Sequence, residues 1–128
     1  MPKEISKLLE LVLLVHFILG IILGIIFFFI PEIYCDLVGY TITDKGSLRL
    51  IGAASLALGS GSFFAYRSKD WEKVKLVVLI ELVWLIFANG AMLYWLIFES
   101  GPIMGWVIEV MFICFLVAFL YFYIQEEK

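Results

Sequence analysis

Four apolar runs, residues 8–30, 48–66, 74–98 and 103–124, take up most of this chain. A helix needs about 20 mostly apolar residues to cross a bilayer, and each run is close to that length or beyond it. In lipid the backbone must satisfy its own polar groups, which leaves only helices or closed barrels, and no alternating-strand pattern is present. The expected fold is therefore all-α: an integral membrane bundle of four transmembrane helices, in one domain over residues 1–128. Composition agrees. Charged residues make up 16% of the chain and hydrophobic ones 64%, against about 25% and 45–50% in average soluble domains.

The linkers set the topology. Lys3 and Lys7 precede the first run as in a signal peptide, but the run is too long for one and no A-x-A pattern follows, so it reads as a retained span. Residues 31–47 form the long loop, where Pro31 suits the first position of a short interfacial helix and residues 44–46 a turn. Residues 67–73 and 99–102 are short connections, and residues 125–128 a solvated tail. Lys3, Lys7, Arg67, Lys69, Lys73, Lys75 and Lys128 fall on one side, and Lys45 and Arg49 on the other. Cytoplasmic segments are rich in Lys and Arg, which predicts both termini cytoplasmic and loop 31–47 external. The expected location is a membrane crossed several times, the cytoplasmic membrane in a prokaryote. A net charge of −3 speaks against a nucleic-acid partner, which favours a basic face. Cys35 in the loop and Cys114 in mid-span lie at different depths, so each is expected as a lone thiol.

Small residues mark candidate helix contacts. Gly20 and Gly24 form a GxxxG pattern, and Ala53, Ala57 and Gly61 repeat at spacing four, with Gly52, Ser55 and Gly59 beside them. Small side chains let helix backbones approach closely where lipid gives no hydrophobic drive. Packing within the bundle is the plain reading, and a homodimer face the sharper one.

Polar residues inside the spans are costly and so informative. At 1.5 Å of rise per residue, His16 lies roughly 12 Å and Glu81 roughly 10 Å from the cytoplasmic end. Ser60 and Ser62 reach the same half from span two, so His16, Glu81 and a serine form a candidate inner site. Arg49, Glu109 and Asn89 form a candidate outer set, with Arg49 and Glu109 drawn as an ion pair. Each has a structural reading as well: Glu81 as a hydrogen bonder to Trp84, Arg49 and Glu109 as an interfacial pair, His16 as a satisfied bundle histidine, Asn89 as interhelical glue. Trp84, Leu85, Ala88 and Met92 make a stripe that reads as core.

There is no GxSxG, P-loop, CxxC or HExxH motif. A lone histidine without a matching cysteine gives no metal site, and His16 has no nucleophile recognisable beside it. No catalytic residue, metal or cofactor is expected.

Residues 44–66, with Pro31 closing the first span and Arg49 and Gly52 opening the second, resemble small four-helix membrane proteins of bacteria and archaea, including a type encoded in biphenyl-degradation gene clusters. The resemblance covers about the first half of the chain. Late in span three, where such proteins often show Gly-Arg, this chain has Ala88-Asn-Gly-Ala91. The resemblance implies the four-span fold and no activity.

Three roles fit these features. The first is an accessory or assembly subunit of a larger membrane complex. The second is a small dimeric transporter with Glu81 binding a proton or cation. The third is a lipid- or quinone-directed enzyme using His16 and Glu81.

Overall fold

The computed structural model describes residues 2–41 and 44–128. These form helices α1 (Lys7–Phe29), α2 (Pro31–Val38), α3 (Lys45–Ser68), α4 (Trp71–Phe98) and α5 (Gly105–Glu127). All but α2 are long and apolar enough to cross a membrane. Residues 42 and 43, in the middle of the loop expected over 31–47, lie outside the described residues.

Local chemistry sets the helix ends. The Ser6 hydroxyl accepts from the Leu9 amide at 3.3 Å and caps α1. Pro31 cannot continue α1, because it lacks an N–H and its ring crowds the preceding turn. It instead opens α2 at a first-turn position. Gly39 ends α2 at φ 68°, a left-handed conformation that glycine adopts without steric cost. Asp44 caps α3 through the Gly46 and Ser47 amides, and Asp70 caps α4 through that of Glu72. Both follow the rule that a short acceptor side chain best satisfies the free amides of a first turn.

The four long helices form a ring in the order α1, α3, α4, α5. Two sides of this ring are close-packed, α1 on α3 and α4 on α5, while the contacts between these pairs are sparser. The α1 to α3 contact is nearly backbone on backbone. A Cβ on Gly20 would lie 3.1 Å from Gly59 Cα, and one on Gly52 would lie 2.6 Å from Phe28 N. The contact stripe on α3 is therefore Gly52, Leu56 and Gly59, meeting Gly20 and Gly24 of α1. This corrects the stripe expected through Ala53, Ala57 and Gly61. Ala57 is exposed, and Gly61 faces Val77 at ordinary distance. Both stripes run at helical spacing of three to four residues, so spacing alone could not choose between them.

One end of the ring gathers the N-terminal segment, the α3–α4 turn and the end of α5. Ile5 N donates to Lys69 O and Trp71 N to Lys3 O, at 3.0 and 2.8 Å. Ser6 N donates to Glu126 Oε1 at 2.8 Å, and Lys3 Nζ donates to the Glu126 carbonyl. Trp71 Nε1 and Lys75 Nζ both reach Glu127 Oε1. Within the solvated tail expected over 125–128, α5 continues to Glu127 and Glu126 is buried, while Gln125, Glu127 and Lys128 are exposed as expected. Just inside this end, Leu9, Leu13, Ala65, Val74, Val78, Phe119 and Phe122 fill the ring. The outward faces of the long helices are apolar, with Ile18, Ile22, Val83, Phe87, Val110 and Val117 all exposed.

Candidate functional site

Three polar side chains meet where the apolar filling stops. His16 comes from α1, Ser62 from α3 and Glu81 from α4, and all three are buried. His16 Nδ1 lies 2.8 Å from Ser62 Oγ, and His16 Nε2 lies 3.3 Å from Glu81 Oε2. His16 and Glu81 sit nine and ten residues into helices that begin at Lys7 and Trp71. That places them about 14 Å from the terminal end, somewhat deeper than expected from the sequence, because both helices start earlier. Ser60 is only half-buried and is not hydrogen-bonded to the cluster.

Proton placement follows from valence. A neutral imidazole carries one N–H and one acceptor nitrogen. If Nδ1–H donates to Ser62, Nε2 is bare and the proton between it and Glu81 must come from the carboxyl. If the Ser62 hydroxyl donates to Nδ1, then Nε2 carries the hydrogen and faces an ionised carboxylate. Burying uncompensated charge is expensive, which favours the first arrangement, uncharged overall, over the second, which leaves one negative charge without a countercharge. The 3.3 Å approach is not aligned as a hydrogen bond, and Glu81 Oε2 has no such partner among the described residues. Phe115 and Phe119 of α5 stand edge-on to the imidazole, with centroids 4.8 and 5.4 Å away, and close the fourth side.

The sequence offered His16 no neighbouring nucleophile, and the structure supplies Ser62 at hydrogen-bond distance. The order of serine, histidine and carboxylate is that of a hydrolase triad. Ser62, however, has no exposed surface at all, so no carbonyl carbon can approach its oxygen. As it stands, the cluster can hold a proton but cannot form an acyl bond.

Beyond the cluster the ring opens. A small cavity of about 60 Å³, lined by His16, Gly20, Ser55, Trp84 and Phe115 among others, leads away from the imidazole. A larger one of about 410 Å³ continues toward α2, with Tyr34, Tyr40, Ser47, Trp95 and Pro102 around its far end. The two share Phe27, Ile51, Trp84, Ile108 and Phe112 as walls. Together they line the space between the α1–α3 and α4–α5 pairs from His16 toward α2, on the side of His16 away from the apolar filling. Trp84 thus faces this cleft, not Glu81.

The outer set is not one site. Arg49 donates to the Phe28 carbonyl and lies 3.4 Å from Glu32 Oε1, which Lys45 also approaches at 3.3 Å. The carboxyl of Glu32 is held below the usual range, first by a backbone amide and then by Lys45 and Arg49. Arg49 therefore pins the start of α3 to α1 and α2 and does not meet Glu109. The partner was missed because Glu32 lies in the long loop, where sequence gives no register. Glu109 is wholly buried in α5, and neither of its oxygens has a hydrogen-bond partner among the described residues. Asn89 donates to Leu85 O of its own helix at 2.6 Å, so it is no interhelical bond, and its oxygen is likewise unpartnered. Cys35 is a buried free thiol and Cys114 an exposed one. Among the described residues, no three His, Cys, Asp or Glu side chains are grouped to hold a metal ion.

Compared with models of known protein families, with curated proteins and with solved structures, the chain matches none.

Proposed function

We propose that this chain is a multi-pass membrane protein, with both termini cytoplasmic, that carries a lipophilic small molecule in exchange for protons. The observation that carries the proposal is that His16, paired with the buried Ser62 and Glu81, lines a cavity adjoining the larger one near α2, with apolar filling on its other side. A proton carrier needs a titratable group midway across, reached from one side at a time. Ionisable residues at such depth commonly mark proton and substrate paths. The two close-packed helix pairs, facing each other across the cleft, suit the second requirement: rocking of one pair against the other would part the apolar filling and close the space toward α2. The apolar outer faces and the Lys- and Arg-rich terminal end support the placement in the membrane.

An accessory subunit has no use for a buried ionisable pair. An acyl-transferring enzyme would need an exposed Ser62. The carrier is the role that uses the cluster as built.

The test is proton flux across vesicles holding the purified protein and a pH-sensitive dye, after lipophilic small molecules, charged and uncharged, are added outside. Wild type is expected to pass protons faster than Glu81→Gln. Equal flux in the two would refute the carrier.

A further inference from the structure

From the cleft's lining we infer the class of molecule carried: a lipophilic organic monocation, such as a quaternary ammonium or an aromatic phosphonium. This rests on the carrier reading and adds the charge and shape of the ligand. The wider cavity, about 410 Å³, falls within the 300–1,000 Å³ range, roughly, of small-molecule sites. Its walls present Phe27, Tyr34, Tyr40, Trp84, Trp95 and Phe112. Aromatic faces are negative at their centres, and cages of them hold organic cations whose charge is too diffuse to keep tight water.

Formal charge points the same way. Among the described residues, no lysine or arginine lines either cavity. The cations nearest the α2 end, Lys45 and Arg49, are both engaged by Glu32. Two buried acids lie close in the chain to the lining: Glu81, 3.3 Å from the lining residue His16, and Glu109, between the lining residues Ile108 and Phe112 in the sequence. Among the described residues, no lysine or arginine pairs with either, and neither Glu109 oxygen has a hydrogen-bond partner. An anionic ligand would find no countercharge here. A neutral one would leave the acid groups to be kept protonated at all times.

Cation and proton then compete for one negative charge, which is the exchange a carrier performs. Of the groups facing the His16 and Glu81 pair, Ser62 from α3 and Phe115 and Phe119 from α5 do not titrate. Glu109, on α5, is a further buried acid and lines neither cavity. A cation arriving beside His16 favours the ionised carboxylate and releases its proton.

The experiment compares methyltriphenylphosphonium with uncharged triphenylphosphine, which has nearly the same shape, on the full-length protein in one mild detergent. Calorimetry in two buffers of different ionisation heat counts the protons released. Wild type is expected to bind the phosphonium with proton release, at least tenfold more tightly than the phosphine, and more weakly as pH falls. Glu81→Gln should lose most of that preference. Trp84→Leu, which leaves the cluster untouched, should weaken phosphonium binding without abolishing proton release. If wild type binds both compounds equally, or binds neither, the inferred class is wrong. It is also wrong if Glu81→Gln, melting as wild type does, keeps the full preference. Vesicle proton flux that depends on Glu81 in any of these cases would leave the carrier standing and remove only the cation. Flux independent of Glu81 would remove both.

Discussion

Gly52→Ala adds one methyl group at the tightest point of the α1 to α3 contact. A Cβ there would lie 2.6 Å from Phe28 N, 2.9 Å from Phe27 C and 3.0 Å from Gly24 O, all backbone atoms. Ordinary contact begins at 3.4 Å, and no side chain can rotate away to make room. The helices must separate, which also loosens the Gly20 and Gly59 contact one to two turns along. Overpacking of this kind costs about 1–3 kcal/mol, against a gain of about 0.8–1 kcal/mol from replacing glycine with alanine in a helix interior. The steric term acts on fixed backbone, so it lies at the upper end and the net is a loss of about 1–2 kcal/mol. Gly90→Ala is the control, because a Cβ there meets nothing within 4 Å. It keeps the propensity gain without the clash. Thermal unfolding in a single detergent, followed by tryptophan fluorescence, should show Gly52→Ala melting below wild type and Gly90→Ala at or above it. A Gly52→Ala protein as stable as the Gly90→Ala protein would refute the close-contact account of the α1–α3 pair.

Other substitutions probe the remaining contacts. His16→Leu and Glu81→Leu should each destabilise by about 1–3 kcal/mol, because each strands a buried polar partner. The double variant should recover part of the loss, and additive losses in a double-mutant cycle would show that the two side chains do not interact. Glu126→Ala removes the acceptor for Ser6 N and the carboxylate 3.7 Å from Lys3; proteolysis of the N-terminal segment should speed up, and an unchanged rate would argue against that anchor. The lowered pKa of Glu32 means that its contribution is complete above the ordinary value of 4.5 and is lost as pH falls through the folded-state value. Acidification through that lowered value should therefore loosen α2, and Cys35, buried in α2, should then react faster with a dipyridyl disulfide in a Cys114→Ser background. Glu32→Gln should show the same reactivity at neutral pH, and a protected Cys35 in that variant would disprove the latch.

What the sequence determined here is what depends on composition and local periodicity. Run length and apolarity alone foretold four long helices, since an unpaired backbone is not tolerated in lipid. Pro31 marked the break after α1 because its ring cannot fit a helix interior. The rise per residue brought His16, Ser62 and Glu81 to similar depth. Rotation about each helix axis and the order of helices around the ring were not legible, because both depend on how whole faces fit one another. Tertiary structure therefore decided that Gly52, Leu56 and Gly59 make the contact and not Ala53, Ala57 and Gly61. It gave Arg49 to Glu32 across a loop of unreadable register, and left Glu109 and the Asn89 oxygen without partners. It also turned His16 toward both Ser62 and Glu81, and held the two helix pairs far enough apart to leave a cleft above them. A cavity is the space that side chains from five helices fail to fill, and no single segment of sequence records it.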